Sequence, residues 1–387
     1  MPEPITWLFV SAHSGLGGGE IIQLNLMRAL DRERFHLHLL CPHEGPFIQA
    51  AREIGVQTHA LPFRGVNRLF VPALWARLPV TQRMVALMQQ LGVQVIHSDY
   101  HALPHAAPAA RRHGARVIWN AMGWWYPAKR WQRAFFRDHV DKITSISQAI
   151  RDRWLARSAY FLPPERIEPV IPGVDLERFR PDVSGAAVRE EVGLASDVPL
   201  VGLLARFQRV KGHDVFLDMA RHVLDAMPEA HFLVAGENAF GVARHEAYKQ
   251  AVLQRARSDP LLRERVHFLG FRTDVPQVIA AADVIVCPSR FESLGMVHLE
   301  SMAMARPVVS MNNGGPAETV LEGVTGFLVP PEAPRALAEK VLLLLRDPAL
   351  RERMGRAGRE HVLAHFTAAG YAEKFTEIVE GLLWKSS

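Results

Sequence analysis

Pro288-Ser289-Arg290-Phe291-Glu292-Ser293-Leu294-Gly295-Met296-Val297-His298-Leu299-Glu300 is the stretch that decides how this chain is read. The apolar run from Ala282 to Cys287 precedes it and reads as a buried parallel strand. Leu299 to Ala305 follows, rich in helix formers. The chain therefore leaves a strand end, makes a short loop and opens a helix near Ser293 or Leu294. Open α/β sheets bind ligands at that place, outside the carboxyl ends of strands, with helix N-termini aimed at anions. Two carboxylates bracket it. Glu292 sits in the loop, and Glu300 stands roughly 12 Å further along the axis if the stretch is helical. Such a pair can touch the two ends of one long ligand.

Outward from this stretch, short apolar runs recur. They predict strands over 200–205, 231–235, 266–270, 284–287, 307–311 and 327–329, with helices over 215–226 and 336–345 between them. The first half shows the same alternation. Strands are predicted over 5–12, 36–41, 57–61, 93–97, 117–120 and 143–147, and helices over 20–30, 47–54 and 82–91. Strands alternating with helices imply a parallel sheet covered on both faces. Pro163, Pro164, Pro169, Pro172, Gly173 and Pro181 make the segment up to Pro199 the connection between two α/β domains. A length of 387 residues suits two such domains.

Composition narrows the class. At 49% hydrophobic and 22% charged the chain has an ordinary globular make-up. Its two cysteines, Cys41 and Cys287, lie far apart in apolar runs, which is neither a disulfide framework nor a metal set. No Asp-x-Asp or His cluster calls for a divalent ion, so no metal and no bound cofactor are expected. The start, Met1 to Val10, lacks a basic leader and reads as a first strand, and no run reaches the ~20 apolar residues of a membrane helix. A cytoplasmic protein is expected. The net charge of +5 suits an anionic small ligand or an anionic membrane surface. No zinc-finger, helix-turn-helix or RRM pattern points to nucleic acid.

Three further stretches carry chemistry. Ser14-Gly15-Leu16-Gly17-Gly18-Gly19-Glu20 follows the first strand and opens a helix. Its glycines let backbone approach a ligand, and the spacing is not the dinucleotide fingerprint. Arg206 and Lys211 lie in the loop after the first strand of the second half. Trp124 to Arg137 holds three Trp, one Tyr, two Phe and four cations without an acid. Trp131 and Phe135 are four apart on one helical face, with Lys129, Arg130 and Arg133 largely elsewhere. That pattern fits either core packing or an interfacial helix on anionic lipid.

Glu-x7-Glu after a strand ending in Pro-Ser resembles the signature of retaining glycosyltransferases of family 4, also called group 1, which have the GT-B fold. The likeness covers most of the chain and is strongest over 201–330. It implies two Rossmann-like parallel-sheet domains facing each other across a cleft. Residues 1–175 would bind the acceptor and 176–366 the nucleotide-sugar donor, with a last helix over 367–387 packing back on the first domain. Arg206 and Lys211 match the family's Arg-x4-Lys-Gly pattern. By resemblance they hold the diphosphate as it leaves, Glu292 contacts the sugar, and these three are catalytic. Glu300 would bind the ribose, with Leu294, Gly295 and Met296 lining the donor and Phe271 bordering the base. Gly17, Gly18 and Gly19 match the family's Gly-Gly-x-Glu loop and would lie against phosphate or acceptor. The family's Gly-Gly-x-Pro-Glu turn is altered here to Gly314-Gly315-Pro316-Ala317-Glu318. The family's usual sugar-facing His is replaced by Met122, beside Gly123, and His97, Asp99 and His101 offer other polar groups on the acceptor side. The implied reaction is metal-independent, retaining transfer from a UDP- or GDP-linked sugar to a glycan, lipid-linked or lipopolysaccharide-type acceptor, on the inner membrane face or free in the cytoplasm. A nucleotide-sugar epimerase or hydrolase, and a non-catalytic sugar-nucleotide-binding subunit, are the competing readings.

Overall fold

The computed structural model describes residues 3–65, 78–123, 130–158, 163–238 and 243–384, with backbone alone at 130–133 and 157–158. The chain divides into two compact units, Met1–Gly173 with Ala368–Ser387, and Val174–Thr367.

In the first unit seven strands are described: β1 Ile5–Val10, β2 Phe35–Cys41, β3 Gln57–Ala60, β4 Val95–Ser98, β5 Arg116–Ala121, β6 Lys142–Ser145 and β7 Ile167–Pro169. They form one parallel sheet in the order β3-β2-β1-β4-β5-β6-β7. All six residues of β1 are buried, as a strand covered on both faces requires. The order reverses between β1 and β4, with Val10 opposite Ser98, so the loops after these strands emerge side by side. The short β7 falls in the proline-rich segment that reads as connection. Its Pro169 cannot donate to a ladder and is tolerated because β7 is an edge strand. The helix Leu103–His113 also goes unpredicted, because Pro104 and Pro108 mask it.

The helix Ala368–Trp384 belongs to this unit. Its Phe375 is fully buried, with its ring 6.1 Å from Trp7 and 5.2 Å from His97. Tyr371 hydrogen-bonds Asn120 of β5, and Lys374 pairs with Glu168 of β7 at 3.3 Å.

The second unit has a six-stranded parallel sheet of β8 Leu200–Leu204, β9 His231–Ala235, β10 Val266–Gly270, β11 Val284–Cys287, β12 Val308–Met311 and β13 Gly326–Val329. Its order is β10-β9-β8-β11-β12-β13, with the reversal between β8 and β11. The core packs β8, β9 and β11 under the helices His213–Leu224 and Pro334–Arg346, with Phe216 and Phe232 in edge-to-face contact. Each unit is thus a doubly wound sheet with one topological switch point at its carboxyl edge.

Candidate active site

The switch point of the second unit gathers three loops. After β8, a single turn of 3-10 helix, Arg209–Lys211, ends at Gly212. Gly212 has φ +71, and a Cβ on it would sit 1.9 Å from the carbonyl oxygen of Pro288. Glycine there lets the loop after β8 lie directly on the loop after β11. On the other side, Gly314 has φ +102, and a Cβ on it would sit 2.1 Å from the carbonyl oxygen of Glu292. The loop after β12 is pinned by two backbone hydrogen bonds. Glu292 N–H donates to Asn313 O at 3.0 Å, and Gly315 N–H donates to Glu292 O at 2.9 Å. Backbone contact on both flanks leaves the Glu292 side chain little freedom.

Lys211 Nζ donates to Glu292 Oε2 at 2.6 Å, and Ser289 Oγ donates to the same oxygen at 3.1 Å. Both side chains of the ion pair keep about a fifth of their exposure, 22% for Lys211 and 17% for Glu292. Burial pushes the Glu292 carboxyl up, but the charge and hydrogen bond of Lys211 outweigh it, and the net shift is downward. Glu292 is therefore an anion across the neutral range. Lys211 has two further N–H groups for an anionic ligand. His298 lies buried beneath, its Nδ1 3.3 Å from Thr319 Oγ1. Burial holds it neutral, with a pKa of about 4.

Glu300 stands in the helix Met296–Ala303, which opens at Met296 rather than at Ser293 or Leu294. Burial raises its pKa to about 7, against a weaker opposing pull from Arg178. Leu294 is 1% exposed, so its side chain is core and only its backbone can meet a ligand. Gly295 caps the helix, and Met296, half-buried, begins it. Arg206 is exposed directly after β8. Phe271 is 71% exposed past the end of β10, on the sheet edge. Three strand spacings separate β10 from β11, about 14 Å. Phe271 and Glu292 thus follow strands that are three apart in the sheet. Sequence reasoning passed over Ser289 and Asn313, which hydrogen-bond Glu292, and Arg290, whose side chain meets Asp214 and Glu332. The signal of Asn313 and Arg290 is three-dimensional, since their partners come from other strand ends.

The first unit answers the acceptor-side expectations differently. His97 is fully buried against Trp7 and Phe9, with ring centroids 6.0 and 4.9 Å away, and cannot face a ligand. It lies inside β4 on the face covered by the helix Ala368–Trp384. Asp99 is a loop tie. It accepts from Ser11 Oγ at 2.9 Å, Ala12 N–H at 2.7 Å and Ala102 N–H at 2.7 Å, so both its oxygens are engaged. His101 sits beside it, edge-on to His13 at 5.2 Å. Met122, half-buried, follows β5, and Gly123 gives its carbonyl to Trp154 Nε1 at 2.9 Å. Gly17 caps the helix Gly18–Ala29 and donates its N–H to Glu20 Oε2 at 3.0 Å. A Cβ on Gly18 or Gly19 would meet nothing within 4 Å. Of the aromatic, basic segment, 124–129 and the side chains of 130–133 lie outside the described residues. Phe135 and Phe136 are each 1% exposed, so Phe135 is core rather than an interfacial face.

Among the described residues, no group of three or more His, Cys, Asp or Glu is placed to hold a metal ion, and no helix is long and apolar enough to cross a membrane.

Two family models match the chain. One described as glycosyl transferases group 1 covers residues 186–361, and one described as glycosyltransferase family 4 covers 16–178. A Corynebacterium glutamicum relative, the GDP-mannose-dependent monoacylated alpha-(1-6)-phosphatidylinositol monomannoside mannosyltransferase, is 31% identical over 282 residues, 70% of this chain and 69% of the relative. The chain belongs to the group 1 glycosyltransferases. The glycosyltransferase shares its GT-B fold with solved structures. A glycosyltransferase from Rickettsia africae ESF-5 superposes with a TM-score of 0.85 at 20% identity, covering 99% of this chain and 100% of that one. Anabaena Alr3699/HepE, solved in complex with UDP and glucose, gives 0.82 at 21% identity, covering 97% and 99%.

Proposed function

We propose that this glycosyltransferase moves a hexosyl group from a UDP- or GDP-linked sugar to a hydroxyl of a glycan or lipid-linked acceptor, with retention at the anomeric carbon. The observation that carries it is the Lys211–Glu292 ion pair at the switch point of the second unit, with Arg206 exposed in the same loop after β8 as Lys211. In this reading the diphosphate meets the free N–H groups of Lys211 and the guanidinium of Arg206, and the sugar lies against Glu292. Glu300 holds the ribose, and Phe271 offers its face to the base. The bond from C1 to the β-phosphate oxygen breaks, and its electron pair leaves with the diphosphate. The two cations stabilise that growing charge more than they stabilise the bound donor. They do so without a divalent ion. The acceptor oxygen bonds to C1 on the face the phosphate leaves, and its proton passes to the departing phosphate oxygen.

The donor class is supported by relatives, one named as GDP-mannose-dependent and one solved with UDP and glucose. The acceptor class is supported by the phosphatidylinositol monomannoside in the first relative's name. The first unit is read as acceptor-binding, through the loops after β1 and β4 and the Gly17–Gly19 backbone. The cytoplasmic face of a membrane is the place such an acceptor would require. Incubation with UDP- and GDP-hexoses and a panel of glycan and lipid-linked acceptors, with the products read by NMR, tests the reading. An α-linked product from an α-linked donor, unchanged in the presence of a metal chelator, is expected. Release of free sugar, or an epimerised nucleotide sugar, whatever acceptor is present would replace transfer with hydrolysis or epimerisation.

A further inference from the structure

Arg290 lies two residues before Glu292 and carries the charge a diphosphate needs, yet its guanidinium is already used. Nε lies 2.6 Å from Glu332 Oε1. Nη1 donates to Arg209 O and to Asp214 Oδ1, each at 2.9 Å. Nη2 donates to Asp214 Oδ2 at 2.9 Å and to Glu332 Oε2 at 3.1 Å. These five contacts match the five N–H groups that a guanidinium carries, so none remains for a ligand. The backbone of the same residue is tied as well. Its N–H donates to Val210 O at 2.7 Å, and its carbonyl accepts from Asn313 Nδ2.

The partners come from every loop around the switch point. Arg209, Val210 and Asp214 follow β8, Asn313 follows β12, and Glu332 follows β13. Asp214 is itself held, accepting from Tyr248 Oη at 2.7 Å. Glu332 holds a left-handed backbone at φ +56, a conformation a non-glycine residue keeps only where its surroundings enforce it. The fork of Glu332 onto Arg290 is such an enforcement. Lys211 lies between Arg209 and Asp214 in sequence, and Glu292 lies just past Arg290. A rotation of either loop would therefore break several of these bonds.

We infer that Arg290 is a positioning residue of this transferase: it does not touch the donor, but fixes the loops that carry Lys211 and Glu292 at one spacing. The inference rests on the donor-site reading proposed above. Lysine cannot take the role, because a point charge on a flexible stem lacks the planar fork that grips two carboxylates and a carbonyl together. The consequence falls on the rate. A misplacement of about 1 Å in a reacting group costs on the order of 10²-fold in turnover.

Arg290→Ala, Arg290→Lys and Lys211→Ala are compared for kcat and for the Kd of free UDP and GDP, at a temperature where circular dichroism shows each variant folded. Both Arg290 variants are expected to lose about 10²-fold in kcat, while their nucleotide Kd moves far less than in Lys211→Ala. Wild-type kcat in either variant overturns the inference. Nucleotide affinity lost to the extent seen in Lys211→Ala also overturns it, by making Arg290 a phosphate ligand. Should the Arg290 variants not fold, Asp214→Asn decides. It keeps the shape, weakens the grip, and is expected to slow turnover in the same way, whereas unchanged kcat overturns the inference. Failure of the donor-site reading shows separately, as wild-type turnover in Lys211→Ala and Glu292→Gln.

Discussion

Glu300 and Glu292 are eight positions apart and titrate in opposite directions. Burial works on both carboxyls, but only Glu292 has a cation within hydrogen-bond reach. Burial raises the Glu300 pKa from an ordinary 4.5 to about 7. An acid whose folded pKa is raised binds its proton more tightly in the folded state. The folded state then loses stability as pH rises from 4.5 to about 7, and the penalty is full above that. Glu300→Gln is therefore expected to raise the melting temperature relative to wild type at pH 8, with the advantage shrinking toward pH 4.5. Thermal unfolding of both proteins at the two pH values checks this. A difference independent of pH would show that Glu300 ionises normally. At Lys211 the expectation concerns rate. Lys211→Ala should cut turnover by about 10²–10³-fold, the usual effect of removing a preorganised partner of developing charge. It should also let burial raise the Glu292 carboxyl, moving the acid limb of the pH–rate profile upward. An unshifted limb would mean that Lys211 does not set the Glu292 titration. Both acids and Lys211 are legible from sequence, because a strand end followed by a helix start fixes where loop side chains go. His97 misleads for a related reason. It sits close to a strand end, but β4 is buried along its whole length and Phe375 of the last helix packs on His97, which one sequence position cannot reveal.

Among the elements, strands are read more reliably than helices. Every apolar run of the second unit becomes a strand within a residue or so of its expected bounds, and β8, β9, β11 and β12 are buried along their whole length. The helix Leu103–His113 hides behind its two prolines, and β7 behind Pro169. Glycines at loop ends divide into two kinds. Gly212→Ala would place a methyl 1.9 Å from Pro288 O at φ +71. It is expected to cost at least about 1–2 kcal/mol and to separate Lys211 from Glu292, so activity should fall with stability. Gly18→Ala meets nothing within 4 Å and opens a helix. Stability should hold or rise, by up to about 1 kcal/mol. Any loss of activity in Gly18→Ala then reports a ligand pressed against that backbone. Denaturant melts and initial rates of the two variants make the comparison. Equal stability losses would show that the two loops are not built differently.

At the scale of the molecule, the two-unit organisation is legible in the repeated strand–helix alternation and in the proline-rich join. The membership of the helix Ala368–Trp384 is not written in its own residues. It is fixed by Tyr371, Lys374 and Phe375 meeting β5, β7, Trp7 and His97. Phe375→Ala is expected to cost the first unit about 3–5 kcal/mol, as removing a buried ring does. Hydrogen exchange should show the loss in the amides of β1 and β4 and not in those of β8 and β11. Equal acceleration in both sheets would mean that the units do not open separately.

The same helix sets an order in time. Residues 174–367 form one continuous stretch and can close their sheet as soon as they leave the ribosome. The first unit has all seven described strands made much earlier, yet the contacts of Phe375 with Trp7 and His97 form only once 368–384 emerge. The half synthesised first is thus the half completed last.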